Sequence, residues 1–182
     1  MTVDNTVGRS FLESVADLRY PPQGLAAEDL QEIRRIKARM EAERIGRGID
    51  PHQHVKLGPG GLSDVEWTVQ LIQLRQAHRL PALRVTGTLA ALDAMAEAHL
   101  VEPGDAQTLR TAFLLASRIR DANTLLRGRA SDVLPTNATD LAQLALAMGY
   151  PRAGGSHLDE AWRRASRRAK AVVDRLFWDS PV

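Results

Sequence analysis

The strongest constraint on this sequence is its punctuation: apolar residues recur at three- and four-residue spacing, and Gly or Pro stops each run. In 27–45, Leu30, Ile33, Ile36 and Met40 follow that spacing among Glu, Arg, Lys and Ala, before Gly46, Gly48 and Pro51. The same reading predicts helices over 8–18, 62–79, 86–100, 103–127, 137–148 and 156–177. Thr86, Asn137 and Ser156 stand where N-caps are expected, and Asp159 sits in a favoured first turn. Gly128 is placed to end the longest helix. Strand signals are nearly absent, apart from a short extended piece at 54–57 inside a loop over 50–61. The expectation is an all-α chain, a single helical bundle of about seven helices.

Composition agrees. Aromatic residues make up 4% of the chain, so the core must come mainly from Leu, Val, Ile and Ala, which suits packed helices. There is no cysteine, which excludes disulfides, zinc–thiolate sites and thiol nucleophiles. The first eight residues lack a signal-peptide core, and no apolar run approaches the roughly 20 residues of a membrane span. A cytoplasmic protein with no membrane partner is expected, with residues 1–7 disordered. Net charge is +2, and Arg dominates the basic set: lysine occurs only at Lys37, Lys56 and Lys170. Charge alone does not argue for nucleic acid.

The densest cluster of unusual residues runs from Lys56 through Gly58, Pro59, Gly60 and Gly61 to Ser63, Asp64, Glu66 and Trp67. Glycines before a helix let its free N–H groups face an anion, and Lys56 would add charge. Alternatively, Ser63 and Glu66 form a capping box and the glycines allow a tight entry turn. The segment matches neither the phosphate-loop nor the dinucleotide spacing. Asp64 and Glu66 would point about 200° apart on a helix, so they do not form a metal-gripping pair.

On the same helix, Leu62, Val65, Val69 and Ile72 share one face and Trp67, Leu71 and Leu74 another. Glu66, Gln70 and Gln73 form a polar row between them, with Asp64, Thr68 and Arg75 expected toward solvent. A polar row between apolar faces needs partners, from other helices or from a cleft. Arg120 and Asn123 continue the face of Leu109, Phe113 and Ala116, which would let them meet Glu66 and Gln70. Arg120 reaching out to water is the alternative.

The run Lys56-x-Gly58-x-Gly60-Gly61-x-x-Asp64-x-Glu66 resembles the helical-domain signature of bacterial adenylyl- and uridylyltransferases of nitrogen regulation. Its continuation, Gln70 and then Leu74-Arg75-x-Ala77-His78-x-x-Pro81-x-Leu83, resembles the glutamine synthetase adenylyltransferase family, in particular its C-terminal half. Arg118, Leu134-Pro135 and the charged stretch 32–39 fit the same pattern. The resemblance covers nearly the whole chain after Gly8.

The resemblance implies a parent enzyme that transfers AMP from ATP to a tyrosine of glutamine synthetase, with regulation by glutamine and the PII signalling protein. In that family a nucleotidyltransferase domain holds ATP and Mg²⁺ through an Asp-x-Asp motif. No Asp-x-Asp occurs in this chain, and Gly155-Ser156 reads as a helix start. The resemblance therefore implies a helical domain over 1–182 that follows a nucleotidyltransferase domain, runs to the natural C-terminus, and is inactive alone. No catalytic residue and no metal ligand is assigned to it. Lys56, Gly58, Gly60, Gly61, Asp64, Glu66 and Gln70 are the expected nucleotide-proximal or interdomain residues. Expected partners are the upstream nucleotidyltransferase domain, glutamine synthetase and PII.

Arg163, Arg164, Arg167, Arg168, Lys170 and Arg175 give the last helix a basic face, opposite Trp162, Ala165, Ala169, Val172 and Leu176. Such a face fits a nucleic-acid-binding or partner-docking module, but stacking aromatics are lacking and nucleic acid is not the expected partner. His52-x-His54 has no evident third ligand, so a catalytic zinc site is not expected.

Overall fold

Glycine, proline and asparagine set several of the helix ends in the computed structural model, which describes residues 6–46 and 48–179. Among them are eight α-helices: α1 (Thr6–Ser14), α2 (Ala16–Arg19), α3 (Ala27–Arg44), α4 (Leu62–Gln76), α5 (Thr88–Glu97), α6 (Pro103–Arg127), α7 (Ala138–Ala147) and α8 (Gly155–Val173). A π turn, Asp174–Trp178, prolongs α8. Short 3₁₀ turns lie at Pro51–Gln53 and Pro81–Leu83. Among the described residues there is no β-strand, only an isolated antiparallel bridge between His54 and Val133. The all-α expectation holds.

Some ends follow the predicted chemistry. Pro103 starts α6, where its missing N–H costs nothing, and Gly128 ends it in the left-handed region at φ 64°. The Asn137 side chain accepts the Asp140 N–H at 2.8 Å and caps α7. Other ends differ. The segment predicted as one helix over 8–18 is two, α1 and α2, with Val15 between them outside helical geometry. Thr86 does not cap α5, because the helix starts at Thr88, two residues inside the predicted span, and Gly87 is its N-cap. Ser156 lies inside α8, whose N-cap is Gly154. Of residues 1–7, the first five lie outside the described residues and Thr6 begins α1.

The long helices α6 and α8 form the spine. At one end, Val65 and Val69 of α4, Leu92 and Met95 of α5, Leu109 of α6, and Val172 with Phe177 pack into one apolar cluster. At the other end, Ile119 of α6, Leu144 of α7, Leu158 and Trp162 of α8, and Val55 with Leu134 form a second. Phe113 packs against both. Each fully buried large side chain contributes about 1.5–3 kcal/mol. Among the described residues, no helix is long and apolar enough to cross a membrane.

Helix α3 is the exception to this pattern. Leu30 and Lys37 are its only buried residues. A buried lysine requires a specific partner, and that partner lies in the glycine segment.

Candidate functional site

The glycine segment closes into a tight turn before α4. Gly58 N–H donates to the His54 carbonyl at 2.8 Å and Gly61 N–H to the Gly58 carbonyl at 2.9 Å. Leu62 N–H donates to Val55 O at 3.0 Å and Ser63 N–H to Lys56 O at 2.9 Å. Main-chain carbonyls thus satisfy donors that a cap would otherwise serve. The expected capping box is accordingly absent: Gly61 is the N-cap, and Ser63 is a buried residue inside the helix. The glycines are needed for close approach. A Cβ on Gly58 would lie 2.0 Å from the Pro51 carbonyl oxygen. On Gly60, at φ +70°, it would lie 2.0 Å from that of Ser166 in α8.

Asp64 and Thr68 do not face solvent as expected. Both are buried. Asp64 Oδ2 accepts the Gly60 N–H at 2.7 Å, and Oδ1 lies 2.5 Å from the Lys37 ammonium. Lys37 is 0% exposed, pairs also with Glu41, and lies 5.5 Å from the ring centres of both Phe177 and Trp178. The Thr68 hydroxyl donates to the Asp64 carbonyl. Helix α3 and the C-terminal π turn therefore cover the side of α4 that its own periodicity leaves polar.

Lys56 and Glu66 lie elsewhere on the glycine turn and α4, both partly exposed. Burial pushes the Glu66 carboxyl above its ordinary value, against the pull of Lys56 and Arg120. Arg120 pairs with Asp132. Burial lowers the His54 imidazole, against Asp132, and its Nδ1 accepts the Leu57 N–H at 3.1 Å. The loop carrying Asp132 is held by the Asn123 amide, which donates to Val133 O, and by Val55 N–H, which donates to Asp132 O. Lys56, Glu66, Arg120, Asp132 and His54 thus share one electrostatic environment. With Arg120 held by Asp132, Lys56 and the partly buried Glu66 are the charged groups left for a polar partner.

The seven expected residues divide into three groups. Lys56 and Glu66 belong to this open cluster. Gly58, Gly60, Gly61 and Asp64 shape and brace the turn. Gln70 is exposed, one helical turn beyond Glu66, and lines a pocket of about 290 Å³ with Tyr20, Gln73 and Thr86. Gln73, on the same pocket, donates to the carbonyls of Leu83 and Val85, so this member of the polar row finds main-chain partners. The sequence reading missed Lys37, Asp132 and the Phe177–Trp178 pair. The scarcity of lysine was the available signal: Lys37 and Lys56, two of three in the chain, both meet this segment.

Among the described residues, no three His, Asp or Glu side chains are grouped to hold a metal ion. On α8 and the π turn after it, Arg163 pairs with Asp159, Lys170 with Asp174, and Arg175 with Asp105 of α6. Half of the basic face is therefore engaged with carboxylates.

Comparison with known proteins covers almost the whole chain. The family model described as GlnD PII-uridylyltransferase matches residues 31–179. A protein of Mycobacterium leprae (strain TN) named bifunctional glutamine synthetase adenylyltransferase/adenylyl-removing enzyme is 51% identical over 174 residues, 96% of this chain and 17% of that protein. Proteins of the same name are 49% identical in Cutibacterium acnes and 48% identical in Streptomyces coelicolor, over 97% and 96% of this chain and 18% of each relative. The chain spans less than one fifth of the length of these curated relatives.

Proposed function

This chain belongs to the GlnD PII-uridylyltransferase domain family and is related to a segment of bifunctional glutamine synthetase adenylyltransferase/adenylyl-removing enzymes; on that premise, we propose that it is the helical part of the adenylylating half of such an enzyme. The parent enzyme transfers AMP from ATP to glutamine synthetase in the cytoplasm, under control of the PII signalling protein. The observation that carries this reading is identity near one half along almost the whole chain to proteins of that name.

In this reading ATP and Mg²⁺ belong to an adjoining nucleotidyltransferase domain, and the chain alone is inactive; among the described residues no three His, Asp or Glu side chains are grouped to hold a metal ion. Its contribution is the face bearing Lys56, Glu66 and Arg120, turned toward that domain. Lys56 steadies nucleotide phosphates or the interdomain contact. The main-chain amides of Leu62 and Ser63 take no part, because they are bonded to Val55 and Lys56.

The test is AMP transfer from labelled ATP to glutamine synthetase, with this chain alone, with the nucleotidyltransferase domain alone, and with both. Activity of the mixture above that of the nucleotidyltransferase domain alone is expected. Transfer by this chain alone would contradict the proposal.

A further inference from the structure

We propose that Lys37 and Asp64 are positioning residues for the Lys56–Glu66–Arg120 face, acting through the main-chain amide of Gly60; this rests on the functional reading above. The Asp64 side chain joins the three parts involved. One oxygen lies 2.5 Å from Lys37 in α3, the other accepts the Gly60 N–H at 2.7 Å, and the residue itself sits in the first turn of α4. Gly60 is held in the left-handed region with its back against the Ser166 carbonyl, so little space remains for another setting of the turn. Ser63 N–H bonds to Lys56 O, so the turn also fixes where the Lys56 main chain runs.

Stability does not by itself demand this ion pair. A buried pair can often be exchanged for apolar side chains of similar volume without loss. What an apolar pair cannot supply is an acceptor for the Gly60 N–H. The ammonium, in turn, is enclosed by Glu41 and by the rings of Phe177 and Trp178, which hold it against Asp64 from the outer side. Docking of α3 and the C-terminal turn is thereby connected to the geometry of the glycine segment.

Two double variants of the full-length enzyme separate positioning from stability. K37M/D64N and K37M/D64L remove the same charges, but only the first keeps a side-chain oxygen for the Gly60 N–H. At matched thermal stability, K37M/D64N is expected to transfer AMP at near the wild-type rate. K37M/D64L is expected to fall by about tenfold or more, as a misplaced active-site element does. The kinetic parameter that falls, kcat or KM for ATP, should be the one moved by K56A. Adding K56A to K37M/D64L should cost little more, because both act on one element. Hydrogen exchange at the peptide carrying Gly60 should be slow in wild type and K37M/D64N and fast in K37M/D64L. Equal transfer by the two doubles, additive losses with K56A, a silent K56A beside a defective K37M/D64L, or equal exchange in all three proteins overturns the proposal. Absence of transfer by the wild-type enzyme would count against the functional reading alone, and the exchange comparison would still decide this one.

Discussion

The indole N–H of Trp162 donates to the main-chain carbonyl of His52 at 2.8 Å, joining residues 110 positions apart. Trp162 is 1% exposed, in the core cluster shared by α6, α7 and α8. The bond anchors the start of the glycine segment to the last helix. W162F removes the donor and part of the ring volume, leaving the His52 carbonyl without this partner. A loss of about 1–3 kcal/mol is expected, read as a lower denaturant midpoint with an unchanged m-value.

Two glycines should respond in opposite ways to alanine. G60A places a Cβ against the Ser166 carbonyl at a residue with φ +70°, so backbone must shift. A loss above about 3 kcal/mol is expected. G104A, in the first turn of α6 with no atom within 4 Å of the added carbon, should be neutral or gain about 0.5–1 kcal/mol. Paired urea melts check both, and equal effects would contradict the packing described here.

Burial raises the Glu66 carboxyl. Its protonated form is therefore favoured on folding, a contribution present in full below the ordinary value of 4.5 and lost as pH rises through the folded value. E66Q avoids the burial of charge. It should melt about 1–2 °C above wild type at pH 7, with the gap closing below pH 4.5. A constant difference across pH would contradict this.

The His54 imidazole is lowered by burial from an ordinary 6.5. Its stabilising contribution is present above that value and is lost as pH falls through the folded value. H54N keeps an oxygen for the Leu57 N–H and carries no titration. Its melting temperature should fall less than that of wild type between pH 7 and 5, by about 2–4 °C. Parallel pH profiles would remove His54 as the cause.

Local chemistry made much of the fold readable. The α6 boundaries follow from Pro103 and Gly128, and the α7 start from Asn137. At the start of α4, local side-chain chemistry met a competing main-chain partner. Ser63 was a reasonable cap until the carbonyls of Val55 and Lys56 arrived at the same helix start. Thr86 and Ser156 lost that role to glycines at neighbouring positions.

At the candidate site, the sequence singled out Lys56, the three glycines, Asp64 and Glu66 because their residue types are unusual together, and Gln70 through the polar row and the family resemblance. It could not assign them different tasks. Periodicity placed Asp64 and Thr68 toward solvent, since on an isolated α4 they lie away from its apolar faces. The partner of Asp64 is Lys37, 27 residues before it, and Lys37 is in turn enclosed by Phe177 and Trp178, more than a hundred after it.

The sequence by itself determined the helical class and the order of the main helices, because helix periodicity, glycine and proline act over a few residues. Tertiary structure alone decided which polar groups of the candidate site are enclosed and which remain open. Burial and charge pairing are properties of the neighbours that folding brings together, and those neighbours come from distant parts of the chain.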